Sequence, residues 1–166
     1  MFRIGEHVIH PGQGVCTVMG FEETPAPMIV LEAKSGHAKT RMMYPVAMQD
    51  RLHSCISREL AQDLIDNYDA IECDPFTERN SSLEESYFKQ QLKHGAPETV
   101  RVAKTMRRRI HDAQAHDKKP NSYYARVLKE AHRRALEELS VAIGCSEEEI
   151  ETRMVDAFDQ FAPSLN

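Results

Sequence analysis

Apolar residues recur in four short runs, at positions 6–10, 14–21, 28–33 and 38–44, separated by HPGQG, ETPAP and KSG. Runs of this length predict strands, and the Pro and Gly between them supply the fixed and positive φ values that tight reversals need. The reading is a meander of four or five strands over about 55 residues. A sheet this small is expected to curl into an SH3-like or Tudor-like β-barrel, because closure protects its edges and gives its few apolar residues one interior. Val8, Val15, Val18, Ile29, Leu31 and Met42 are the expected interior.

Beyond residue 56 the apolar period becomes helical. Residues 57–68 put Leu60, Leu64, Ile65 and Tyr68 on one face, with Ser57 placed to cap the first turn. In NSSLEESYF, Ser82 and Glu85 have capping-box spacing and Gly95 stands where a left-handed terminal residue is wanted, which predicts a second helix over about 83–94. Pro97 suits a first helical position, and Val102, Ala103, Met106 and Ile110 form the stripe of a third helix that ends in AQAHDKKPNS. Asn121 or Ser122 opens a long fourth helix with Tyr124, Leu128, Ala131, Ala135 and Leu139 inward, stopped by Gly144. Ser146 and Glu149 form another capping box, starting a fifth helix with Ile150, Met154 and Phe158 inward. The fold class is therefore α+β, with a small β-barrel at residues 1–55 followed by an all-α domain of about five helices at residues 56–166.

The formal net charge of -5 hides a pattern: residues 1–60 net 0, 61–100 carry −6, 101–134 carry +8 and 135–166 carry −7. A cationic block between two anionic ones is either a footprint for a polyanion or a partner for the acidic segments. At about 100° per residue, Arg101, Lys104 and Arg108 form a ridge opposite the apolar stripe of the third helix. Arg126, Lys129 and Arg133 repeat the same offsets on the fourth, with Arg107, Arg109, Lys118, Lys119 and Arg134 nearby. Arginine's planar fork suits bidentate phosphate contact. The acidic stretch 147–151 reads as a favourable first turn of the fifth helix.

With 41% apolar and 28% charged residues, the composition is that of an ordinary globular protein. No apolar run approaches the roughly 20 residues of a membrane span. The opening MFRIGEHVIHPG lacks the uninterrupted apolar stretch of a signal peptide, so the expectation is a cytoplasmic protein. Cys16, Cys55, Cys73 and Cys145 are far apart and read as structural thiols. His7 and His10 sit on a strand, where residues three apart point to opposite faces, so no metal or other cofactor is expected. Tyr123, Tyr124, His111, His116 and His132 show no nucleophile-and-base spacing, and neither catalysis nor a small-molecule substrate is expected.

The string GEHVIHPGQGVCTV resembles the opening of the CarD, CdnL and Mfd-type RNA-polymerase-interacting domain, with Gly5, Glu6, Val8, Ile9, Pro11, Gly14 and Val15 in the typical places. The likeness continues through IVLEA and RMMYPV, and VAKTMRRRI and RVLKEAHRRALEELSVAIG resemble the family's later helices. The resemblance implies a transcription regulator whose Tudor-like domain docks on the β subunit of RNA polymerase, partly by strand addition. Its helical domain is then implied to contact promoter DNA and stabilise the open complex. Lys39, Arg41 and Met43 are the implied polymerase-binding residues, with Met43 where many members have Arg. The family's Trp and Arg residues at the start of the second helix are replaced around Ser82, Leu83, Glu84 and Glu85. These carboxylates would repel phosphate and Leu83 is expected in the core, so DNA binding falls to Arg101, Lys104, Arg107, Arg108, Arg109, Arg126, Lys129 and Arg133. The alternative is an adaptor whose helical domain recruits a protein instead.

Overall fold

A computed structural model describes residues 1–35 and 38–159. The chain divides into two compact units, Met1–Cys55 and a helical unit that begins at Ile56.

The first unit is one antiparallel sheet of β1 (His7–His10), β2 (Gly14–Glu22), β3 (Met28–Ser35), β4 (Ala38–Pro45) and β5 (His53–Ser54), with a 3-10 turn at Val46–Arg51. The strand order is β4-β3-β2-β1-β5. The sheet is open, which corrects the expected closed barrel: β5 has two residues and pairs only with β1, so no ladder returns to β4. One face carries the core of Val8, Cys16, Val18, Ile29, Leu31, Ala33, Tyr44 and Leu52, with Met42 half-buried against it. Val15 is buried too, but it stands opposite Ile9, a pair that alternation places on the reverse face from Val8 and Cys16. The β1–β2 turn is organised by His10, whose Nδ1 accepts from the N–H groups of Gly12 (3.0 Å) and Gln13 (3.1 Å). Gly14 follows at φ 81°, a backbone state that favours glycine.

The helical unit holds α1 (Arg58–Asp66), a 3-10 turn (Tyr68–Ala70), α2 (Ser81–Leu92), α3 (Glu98–Ala115), α4 (Ser122–Ile143) and α5 (Glu147–Asp159). Ser57 caps α1, Asn121 caps α4, Gly144 ends α4 at φ 80°, and Ser146 and Glu149 exchange the two bonds of a capping box. The α2 cap is Asn80, whose side chain accepts from Ser82 and Leu83 N–H, and not the expected Ser82. Pro97 sits at the cap position of α3, one residue earlier than expected.

Two cores share α3 and α4. Ala61, Ile65, Tyr68, Val100, Ala135, Leu139, Ile143, Ile150 and Met154 form one, and Phe88, Leu92, Val102, Ala103, Met106, Tyr123, Val127 and Ala131 the other. Burial of Ala61 and Ile65 turns Leu60 outward, 59% exposed, against expectation. Early in α4 the inward face is set by Tyr123 and Val127, leaving the expected Tyr124 and Leu128 half-buried. The side chain of Phe158 lies outside the described residues.

Candidate functional site

Strand β4 is an edge of the sheet, with β3 as its one ladder partner among the described residues. Alternation sends Met42 and Tyr44 toward the core and leaves Lys39, Arg41 and Met43 together on the other face. All three are exposed. Register places Arg41 opposite Glu32 and Met43 opposite Val30. Glu32 holds both cations, at 3.2 Å from Arg41 and 3.9 Å from Lys39. The edge thus combines unpaired backbone groups, an apolar strip and two cations tied to one carboxylate.

Helix α3 does not present the expected exposed ridge. Residues 67–78, mostly irregular, lie over its cationic face. A segment without a ladder must find donors for its carbonyls elsewhere. Lys104, 4% exposed, donates from Nζ to the carbonyls of Tyr68 (2.8 Å), Asp69 (3.0 Å) and Ile71 (2.5 Å). Burial pushes its pKa below the ordinary lysine value. Arg101 donates to the Glu72 carbonyl, and Arg109 to those of Asp74 and Phe76. Thr105 Oγ1 accepts the Asp74 N–H.

Arg107 donates to the Tyr68 hydroxyl and to Nδ1 of His132. Because arginine cannot accept, His132 carries its hydrogen on Nε2 and donates it to Glu151 at 3.2 Å. Arg108 is exposed and pairs with Asp112 one turn on. Sequence reasoning grouped these cations by helical angle; the tertiary structure gives most of them internal partners.

The ridge on α4 is exposed. Arg126 and Lys129 face solvent and Arg133 is half-exposed. Three contacts align α2 parallel to α4: Asn121 to Ser81, Arg126 to Glu85, and Arg134 to the Leu92 carbonyl. This alignment adds Lys89 and Lys93, both exposed, to the same region. Sequence reasoning missed these two because the surrounding segment is strongly acidic, although their spacing of four on the polar arc of α2 was the available signal. Glu130 accepts from Arg133 at 2.8 Å and Arg134 at 2.7 Å, and these bonds outweigh its partial burial to bring its pKa down to about 2. Lys129 has no ion-pair partner among the described residues.

The two expected repulsive carboxylates separate. Glu84, 6% exposed, points inward and accepts from Arg109, the Tyr123 hydroxyl and the Glu78 N–H. Burial is the main cause that raises the Tyr123 pKa, with the Glu84 bond adding to it. Glu85 is half-buried at the outer seam, accepting from Lys89 (3.1 Å) and Arg126 (3.3 Å). Desolvation acts to raise its pKa, but the bonds from the two cations prevail and lower it. Leu83 is 58% exposed, contrary to its expected place in the core.

Residues 2–58 match the family described as the CarD-like/TRCF RID domain. The first unit matches a CarD-like RID domain. The match takes in the whole RID sheet, including the β4 edge, and ends at the first residue of α1. RID domains are interaction domains and not an enzyme family. No curated protein matches the chain. Among the described residues, no helix is long and apolar enough to cross a membrane, and no group of three or more His, Cys, Asp or Glu is placed to hold a metal ion.

Proposed function

We propose that this protein is a bacterial transcription regulator that docks through its RID domain on the β subunit of RNA polymerase. There its helical unit meets promoter DNA and stabilises the open complex. It acts in the cytoplasm, by binding, without cofactor or catalysis. The observation that carries the reading is the RID match over a sheet whose edge strand has a ladder partner on one side only among the described residues, with Lys39, Arg41 and Met43 on one exposed face. An open edge favours strand addition, and the alternating side chains give such docking its specificity.

DNA contact is assigned to the α2–α4 face, where Lys89, Lys93, Arg126 and Lys129 are exposed, and not to α3. Four surface cations make a weak patch by themselves, but a patch tethered beside its target acts at a raised effective concentration. A chain with net negative charge can then act on DNA. An adaptor role for the helical unit is favoured by Leu60 and Leu83, two leucines more than half exposed, since apolar side chains on a charged surface suit a protein partner.

The test is calorimetric titration of the full chain into a purified β-subunit lobe, followed by open-complex lifetime with and without the protein at two salt concentrations. Docking with a salt-sensitive lengthening of the lifetime supports the reading. Docking with no effect on lifetime moves the helical unit to the adaptor role, and absence of docking overturns the polymerase assignment.

A further inference from the structure

We infer that Glu85 is an internal stand-in for phosphate, a carboxylate that occupies the DNA-facing cations of the α2–α4 face and sets how tightly that face holds a polyanion. The inference rests on the DNA reading above and deepens it. Its starting point is Glu84. That carboxylate gathers Arg109 of α3, the Tyr123 hydroxyl of α4 and the Glu78 N–H, and so fixes the rotation of α2 about its axis. With Glu84 inward, the next residue lies about 100° around the helix, at the outer seam with α4. There Glu85 meets Arg126 and Lys89, both well over half exposed.

The geometry is that of a replaceable ligand. A single guanidinium nitrogen, Nη2, reaches both Glu85 oxygens at 3.3 Å each. This is not the two-nitrogen fork that makes Arg–carboxylate pairs strong and specific. Lys89, itself exposed, adds a pair to the half-buried Glu85 one helical turn away, and pairs with a solvated cation contribute little in water. A phosphate oxyanion offers the same cations a stronger partner, but it must displace Glu85 and approach its charge. Two of the exposed cations are therefore held in reserve. Lys129 and Lys93 lie beside them and have no carboxylate partner among the described residues.

The experiment uses the full chain and a short random-sequence DNA duplex, with affinity measured across a salt series. Glu85→Gln keeps length and helix propensity and removes the charge. The expected result is a roughly threefold to tenfold gain in affinity at low salt, with a log–log salt slope steeper by about 0.9 for each released cation. Arg126→Ala in the Glu85→Gln background should erase most of the gain, which a purely structural role for Glu85 would not predict. Glu85→Ala provides an independent second variant, and thermal melts confirm that each is folded. If Glu85→Gln and Glu85→Ala bind like wild type while Arg126→Ala and Lys129→Ala bind less, the inference fails and the DNA reading stands. If wild type and both Glu85 variants all fail to bind duplex at low salt, the DNA reading fails and the inference with it.

Discussion

Lys104 of α3 lies beneath Tyr68, with its ammonium 5.1 Å from the ring centroid and 2.8 Å from the same residue's carbonyl oxygen. Two further carbonyls share that ammonium, so one buried cation closes the irregular segment onto α3.

Lys104→Ala removes a buried donor shared by three carbonyls: that of Tyr68 keeps the Ile71 N–H, and the partly buried ones of Asp69 and Ile71 lose the ammonium. The expected cost is about 2–4 kcal/mol, since an unsatisfied buried polar group loses its full desolvation penalty. Thermal unfolding should show a melting temperature lower by several degrees. Duplex affinity of the folded variant should match wild type; a loss of affinity with unchanged stability would return α3 to the DNA surface.

On the RID domain, Arg41→Glu and Met43→Glu should each weaken docking on the polymerase lobe by tenfold or so, about 1.4 kcal/mol. The first removes the nearer of the two cations that Glu32 holds and doubles the negative charge there; the second puts a charge where Met43 and Val30 form an apolar strip. Calorimetry reads both, and unchanged affinity in both would place the docking surface elsewhere.

Arg126→Ala combined with Lys129→Ala should reduce duplex affinity, with a salt slope shallower by roughly 0.9 per lost phosphate contact. Arg108→Ala, by contrast, should leave the slope nearly unchanged, because Arg108 lies on α3, outside the α2–α4 face assigned to DNA. A salt series distinguishes the two; equal slopes in all variants would remove the α4 ridge from the interface.

Glu130 supplies a pH signature. Its folded pKa of about 2 lies below the ordinary 4.5, so the folded state favours the ionised form. Its contribution is fully present above the ordinary value and is lost as pH falls through the folded one. Glu130→Gln should therefore lower the melting temperature near neutral pH, with the difference from wild type shrinking as the solution is taken from pH 4.5 toward 2. A difference independent of pH would mean that packing, and not the pairs with Arg133 and Arg134, is responsible.

Several elements were legible because their causes are local. Ser57, Asn121, Gly144 and the Ser146–Glu149 box act within a turn of their own backbone, and they appear where the spacing placed them. The RID strands followed from alternation punctuated by Pro and Gly. Even locally there was competition at the start of α2, where Asn80 caps from two residues earlier than Ser82. Leu60 and Leu83 misled because an apolar residue at a helical spacing still needs another element to cover it.

The sequence by itself determined the two-part α+β plan, most helix ends and, over residues 2–58, the likeness that the RID match later bore out. These depend on spacing along the chain, which dihedral preference and side-chain period translate directly. Only the tertiary structure decided whether the sheet closed, which cations stayed in water, and that Glu84 and Glu85 part company. Those outcomes depend on what covers a surface. For α3 the cover is a segment with no periodicity of its own, whose carbonyls take the cations that the helical wheel alone assigned to DNA.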